Sequence, residues 1–276
     1  MSESALLDTI YEDLEKDQLD LPTLPQVALD IRNAIDVKMA GVQEVACVLS
    51  RDSSFAMRVM QIANSALYKT TEPCLALTEA VRRLGMEVVK TVVYSLAIQQ
   101  MFQPSSQLMT SRFIQAREQS LRTAVYSRAL TTCYTELDPN VSVLAGLVLE
   151  IGALPLMTYA ERHPELHQNM DYLNSLIGQR QKELGVKIAR EWELPEEITE
   201  VIEKQKDPHH LKSIDYNLVV SSGSYLACRE ATVLSDISER EINEQERVFR
   251  LLCGQAPDEM VAGIRPEMEK VKHLFS

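Results

Sequence analysis

The chain has 276 residues, enough for one large domain or two modest ones. Apolar residues make up 45% of it and charged residues 25%, with only 9 glycines and 11 prolines, which excludes a disordered, collagen-like or low-complexity polymer. The formal charge of −12, from 28 basic and 40 acidic residues, argues against a dedicated binder of nucleic acid or anionic membrane, since these need a basic footprint.

The acidity is uneven. Residues 1–20 hold seven acids against Lys16 alone, a net of −6, so half of the excess lies in that segment. With Leu6, Leu7, Ile10 and Leu14 it reads as an acidic, partly apolar leading helix suited to docking or capping. No uninterrupted apolar run approaches ~18 residues, so no membrane span is expected. Met1-Ser-Glu-Ser lacks the basic start of a signal peptide. Five widely spaced cysteines (Cys47, Cys74, Cys133, Cys228, Cys253), none in a C-x-x-C pair, point to a reducing cytoplasm and inert, buried thiols.

Helical periodicity runs almost throughout. Leu24, Val27, Ala28, Ile31, Ala34 and Ile35 form one stripe, with Pro25 in the first turn. Asp52 is placed to cap the next helix, in which Val59, Met60, Ala63, Ala66 and Leu67 share a face. Gly85 reads as a helix stop after Ala80–Leu84. Beyond it Val88, Val89, Val92, Val93, Leu96 and Ala97 form a stripe opposite Lys90, Thr91, Ser95 and Gln99. Pro104-Ser105-Ser106 reads as a linker, dividing the chain at 103/104. A long helix is expected over about 107–133, then apolar stretches at 141–149 and 153–159. Further helices are expected near 179–192, after the Leu194-Pro195 break with Glu196 and Glu197 in the first turn, at 214–229, and at 239–275 interrupted at Pro257 and Pro266. No repeat or hairpin series is present, so the fold class is all-α.

Familiar catalytic and phosphate-binding motifs are absent. His163 and His167 lie at i, i+4, a spacing that suits zinc, with Glu161 and Asp171 nearby, but their polar stretch reads as solvent-exposed surface. His209-His210 follows the turn-like Lys206-Asp207-Pro208, and adjacent residues on a helix point about 100° apart, so shared ligation is unnatural there.

Leu21-Pro22-Thr23-Leu24-Pro25, Ser50-Arg51-Asp52, Ile62-Ala63-Asn64-Ser65-Ala66-Leu67-Tyr68 and Ala80-Val81-Arg82-Arg83-Leu84-Gly85 closely resemble the N-terminal motifs of the HDOD family, bacterial output domains related to the HD metal-dependent phosphohydrolases. Ala145-Gly146-Leu147, Ile151-Gly152, Glu183-Leu184-Gly185 and Trp192-Glu193-Leu194-Pro195 agree with it. The resemblance covers roughly residues 15–230. It implies two packed helical subdomains, 1–103 and 104–276, the second an HD-like helix core, and a signalling or regulatory role without a firmly assigned enzymatic activity.

The same resemblance maps the HD metal ligands onto this chain. The first His falls on Gln119, the His-Asp pair on Leu149-Glu150, two further His positions on Gln181 and on Gln205-Lys206, and the final Asp on Gly223. Gln and Leu do not replace imidazole as metal donors, and one carboxylate makes a weak site, so no metal, cofactor or catalytic residue is expected.

Candidate ligand or partner contacts are Asn64, Ser65, Tyr68, Arg82, Gln119, Glu150, Gln181, Gln205 and Lys206. For Asn64 and Ser65 the competing reading is helix capping, for Arg82-Arg83 it is favourable charge at a helix C-terminus, and Trp192 reads as core. The expected function is a non-catalytic cytoplasmic signalling module that meets signalling proteins or an unidentified ligand. Alternatives are an HD-type phosphohydrolase, or a nucleotide-binding regulator using the degenerate pocket. No receiver-, GGDEF- or EAL-like segment is recognisable, which assigns sensing or output to partners.

Overall fold

The computed structural model describes residues 19–65, 68, 72–103, 107, 109–163, 166, 169–205, 214–230, 254 and 257–272, and among these there is no strand. The Pro104–Ser106 linker, residues 1–18 of the acidic segment, Ala66, Leu67, Cys253, Lys206 and every histidine but His163 lie outside the described residues.

The N-terminal half contains α1 (Gln26–Arg32) running into a π-turn (Asn33–Val37), then α2 (Val42–Leu49), α3 (Ser53–Ala63), α4 (Leu77–Leu84) and α5 (Met86–Met101). Pro25 precedes α1 and Asp52 caps α3, its carboxylate accepting from the Ser54 amide at 2.9 Å and the Ser54 hydroxyl at 2.6 Å. Gly85, at φ +83°, ends α4 and opens α5, a backbone turn that glycine makes without steric cost. One expectation about α5 is corrected. The spacing sets Thr91 and Ser95 opposite the apolar stripe, yet both are buried with the valines. Each hydroxyl bonds back to a carbonyl one turn earlier, Glu87 at 2.9 Å and Thr91 at 2.6 Å, so a helix surrounded by α1, α3, α4 and the second half carries them without an unpaired group.

The second half contains α6 (Thr110–Tyr134), α7 (Pro139–Val148), α8 (Ala153–Arg162), α9 (Met170–Glu191), α10 (Glu196–Lys204), α11 (Tyr216–Glu230) and α12 (Pro257–Lys272). Here α7 is the axis: Ser142–Val148 are all buried, and α6, α10, α11 and α5 pack around it. The 139–162 stretch passes the length and hydropathy test for a membrane-crossing helix, which the absence of long apolar runs did not anticipate. It is 83% buried within the fold and broken by the Leu149–Gly152 turn. α9 begins at Met170, well before the expected 179, because Asn169 caps it, accepting from the Tyr172 amide at 3.1 Å. Pro266 sits inside α12 and does not interrupt it as expected, whereas Pro257 begins the helix and the expected helix from 239 up to it lies outside the described residues.

Besides the packing of α5 on α7, the halves are joined through a polar seam. Trp192, 2% exposed, donates its indole N–H to the Pro22 carbonyl at 2.8 Å, while its own carbonyl accepts from Arg32 at 2.8 Å. Arg32 also pairs with Glu193 at 3.3 Å. The Leu21-Pro22 and Trp192-Glu193 motifs, 170 residues apart, thus meet in space.

Candidate functional site

The inner face of α6 is built from small residues, with Ser120, Thr123, Ala124, Ser127 and Thr131 all buried, so α7 and α11 approach it closely. Its hydroxyls are spent internally: Ser127 bonds the Thr123 carbonyl at 2.7 Å, and Thr131 and Ser142 share a hydrogen bond of 2.6 Å. Gly223 of α11 lies against this face. A Cβ there would stand 2.5 Å from the Ser127 hydroxyl and 2.9 Å from the Ser127 amide nitrogen, so this position accepts no side chain without separating the helices.

The residues onto which the family resemblance maps the HD metal ligands lie on α6, α9 and α11, in the turn after α7 and at the end of α10. Gln119 on α6 donates its amide to Cys228 Sγ at 3.0 Å and reaches the Ser224 carbonyl at 3.5 Å, both on α11. Leu149 is buried, and Glu150 sits half-buried in the turn after α7. Gly152, in the same turn, presses on the Gln181 carbonyl of α9, which brings Gln181 beside the Glu150 turn. Gln205 caps α10, which packs on α7 and α11. A divalent ion does not fit this set. It offers one carboxylate, an amide already committed to a thiol, an apolar side chain, and a glycine with no space for Asp. Among the described residues no cluster of three His, Cys, Asp or Glu side chains is placed to hold a metal.

Polar groups nevertheless remain unmatched here. Gln205 is 7% exposed, and among the described residues neither its amide oxygen nor its amide nitrogen has a hydrogen-bond partner. On α11, Asn217 Nδ2 and the fully buried Ser222 hydroxyl likewise have none among the described residues. Buried groups of this kind carry a desolvation cost of about 1–3 kcal/mol each unless something polar reaches them.

The other candidates lie in the N-terminal half. Asn64 closes α3 and grips the backbone of Cys74 with both amide atoms, donating to its carbonyl at 2.9 Å and accepting from its N–H at 2.7 Å. Its side chain is therefore occupied within the fold. Arg82 is exposed, whereas Arg83 bonds the Ala63 carbonyl at 3.2 Å, the Glu72 carbonyl at 3.2 Å and Glu79 at 3.1 Å. Sequence reasoning did not single out Arg83 as the member of the pair that ties α3 to α4. The Ser65 hydroxyl is buried and has no partner among the described residues. Tyr68 is half-buried, which raises its hydroxyl pKa, and the charges acting on it belong to Arg128 of α6 and Glu267 of α12.

The expectation of uniformly buried thiols is corrected, because Cys47 and Cys133 are exposed while Cys74 is buried and Cys228 half-buried. Burial raises the thiol pKa of Cys74 and Cys133, with Glu79 and Glu267 adding to it, so both stay protonated and weakly nucleophilic. His163 ends α8 and stacks on Tyr159 with ring centres 4.1 Å apart. Its i, i+4 partner His167 and the His209-His210 pair lie outside the described residues.

Comparison with known proteins adds four findings. A family model described as the HDOD domain matches residues 21–208. A crystal structure from Shewanella amazonensis SB2B, provisionally named a metal-dependent phosphohydrolase, superposes with a TM-score of 0.83 over 100% of both chains at 25% identity. A second, from Marinobacter aquaeolei VT8 and provisionally named a signal transduction protein, gives a TM-score of 0.58 at 21% identity, covering 95% of this chain and 61% of that one. A curated relative, an uncharacterised protein of Treponema pallidum, is 24% identical over 219 residues, and the match spans 75% of this chain but 41% of the relative.

Proposed function

We propose that this chain, which belongs to the HDOD family, is a regulatory module working in the cytoplasm through contact with signalling proteins and not through catalysis. The observation that carries this reading is the closure of α11 onto α6 at Gly223, where the final HD carboxylate would stand. A hydrolytic metal needs several anionic or imidazole donors converging on one point, and here the converging groups are amides, a leucine and a glycine. Purified protein supplied with Mn²⁺ or Mg²⁺ is expected to hold no stoichiometric metal and to turn over neither nucleotides nor phosphoesters. Bound metal with a phosphatase activity lost in Glu150→Gln would establish the phosphohydrolase alternative instead.

The unpartnered Gln205 amide favours a second reading, a regulator that holds a small polar ligand in the degenerate pocket without turning it over. Such a ligand would supply the missing donors and acceptors, so its thermal stabilisation of the chain should be lost in Gln205→Leu. An unchanged stabilisation in that variant would remove this reading.

A further inference from the structure

A recess lined by none of the residues mapped onto HD ligands lies between α6, α11 and α12, and α12 is beyond the 21–208 stretch that matches the family. It is an open cleft of about 460 Å³, within the ~300–1,000 Å³ typical of small-molecule sites. Its apolar lining comes from Leu226, Val261 and Met268. Three cations, Arg229, Arg265 and Lys272, face it together with two carboxylates, Glu230 and Glu269.

The two carboxylates are already engaged. Glu230 accepts the Tyr126 hydroxyl at 3.1 Å, and Glu269 pairs with Lys272 at 3.0 Å. Burial and the Glu230 charge raise the Tyr126 pKa far above its ordinary value, so the phenol remains a neutral donor to Glu230. Arg265 is exposed at the cleft and, among the described residues, has no carboxylate within ion-pair distance. In a chain of net charge −12 this is a local excess of positive charge with an uncommitted guanidinium beside an apolar wall.

We infer that the cleft between α6, α11 and α12 binds a phosphorylated small molecule of about mononucleotide size, its phosphate on Arg265 and its organic body against Leu226, Val261 and Met268. A guanidinium fork matches the several oxygens of a phosphate, and the cleft is too large and too apolar on one side for the inorganic ion alone.

The test is equilibrium dialysis of the full chain with AMP, adenosine and inorganic phosphate at low salt. AMP is expected to bind more tightly than either fragment and to weaken as salt rises. Arg265→Gln, at an exposed position that leaves the fold intact, should weaken AMP by about tenfold or more, the scale of a charge-assisted hydrogen bond pair. Lys38→Gln, an exposed lysine on the π-turn side of the other half, should leave AMP binding unchanged. Absence of AMP binding overturns the proposal, as does an equal loss in Arg265→Gln and Lys38→Gln, which would indicate diffuse attraction. AMP binding lost in Gln205→Leu but kept in Arg265→Gln would place the ligand in the degenerate pocket and likewise overturn the cleft.

Discussion

Individual side chains in this protein do local structural work that their motif positions conceal. Asn64 replaces a stretch of backbone pairing by holding both polar groups of Cys74, which fixes the segment between α3 and α4. Asp52 holds three donors, the Ser54 hydroxyl and the amides of Ser54 and Phe55, and these lower its pKa with the hydroxyl the largest cause. A carboxyl whose pKa is depressed on folding contributes stability above its unfolded value, near ~3.9, and loses it as pH falls through the folded value. Comparison with Asp52→Asn, which keeps a capping oxygen, isolates the charge. The aspartate form should be more stable at neutral pH by no more than about 1 kcal/mol, given its exposure to solvent, and the difference should vanish at acid pH. Urea denaturation at pH 7 and at pH 3 measures it, and a difference that grew on acidification would contradict the assignment.

At the scale of elements, the spacing of α6, α7 and α11 is set by small side chains. Ser, Thr, Ala and Gly on the facing surfaces let backbones approach, and the hydroxyls close their hydrogen bonds within α6 or to Ser142. This packing leaves no volume at Gly223. Gly223→Asp should therefore restore an HD-type residue in name and cost stability in fact. Overpacking typically costs ~1–3 kcal/mol, and an unpaired buried charge adds to it. The expected result is a lowered melting temperature with no gain in Mn²⁺ affinity by calorimetry. A variant that melted like the parent and bound Mn²⁺ would show that the helices part readily and that the closed contact is not decisive. Helix α5 shows the same principle in another form, because the buried Thr91 and Ser95 bond to their own helix and need nothing from its neighbours.

At the scale of the whole molecule, the packing of α5 on α7 joins the two halves and the Trp192–Pro22 and Arg32–Trp192 bonds add a polar seam, with the exposed Arg162–Asp20 pair at 2.8 Å adding little. Trp192→Phe removes the indole donor, leaves the Pro22 carbonyl without this partner and opens a small void. It should cost about 2–3 kcal/mol in urea denaturation followed by circular dichroism. A loss under ~0.5 kcal/mol, the ordinary range of surface substitutions, would mean that the polar seam does not help to hold the halves together.

The all-α class, the Asp52 cap, the Gly85 break and most helix positions were legible from sequence, because they depend on periodicity and on terminal chemistry acting within a few residues. The burial of Thr91 and Ser95, the exposure of Cys47 and Cys133, and the meeting of Trp192 with Pro22 were not, since each depends on which element covers which face. The bond from Gln119 to Cys228 was not legible either, as it joins α6 to a distant helix. The same holds for the cleft under α12, whose cations come from two helices that no local pattern relates. Sequence by itself thus determined the helices and their end signals. Tertiary structure alone decided the chemistry it has room for, because cavities, close approaches and unmatched polar groups arise only where distant segments pack.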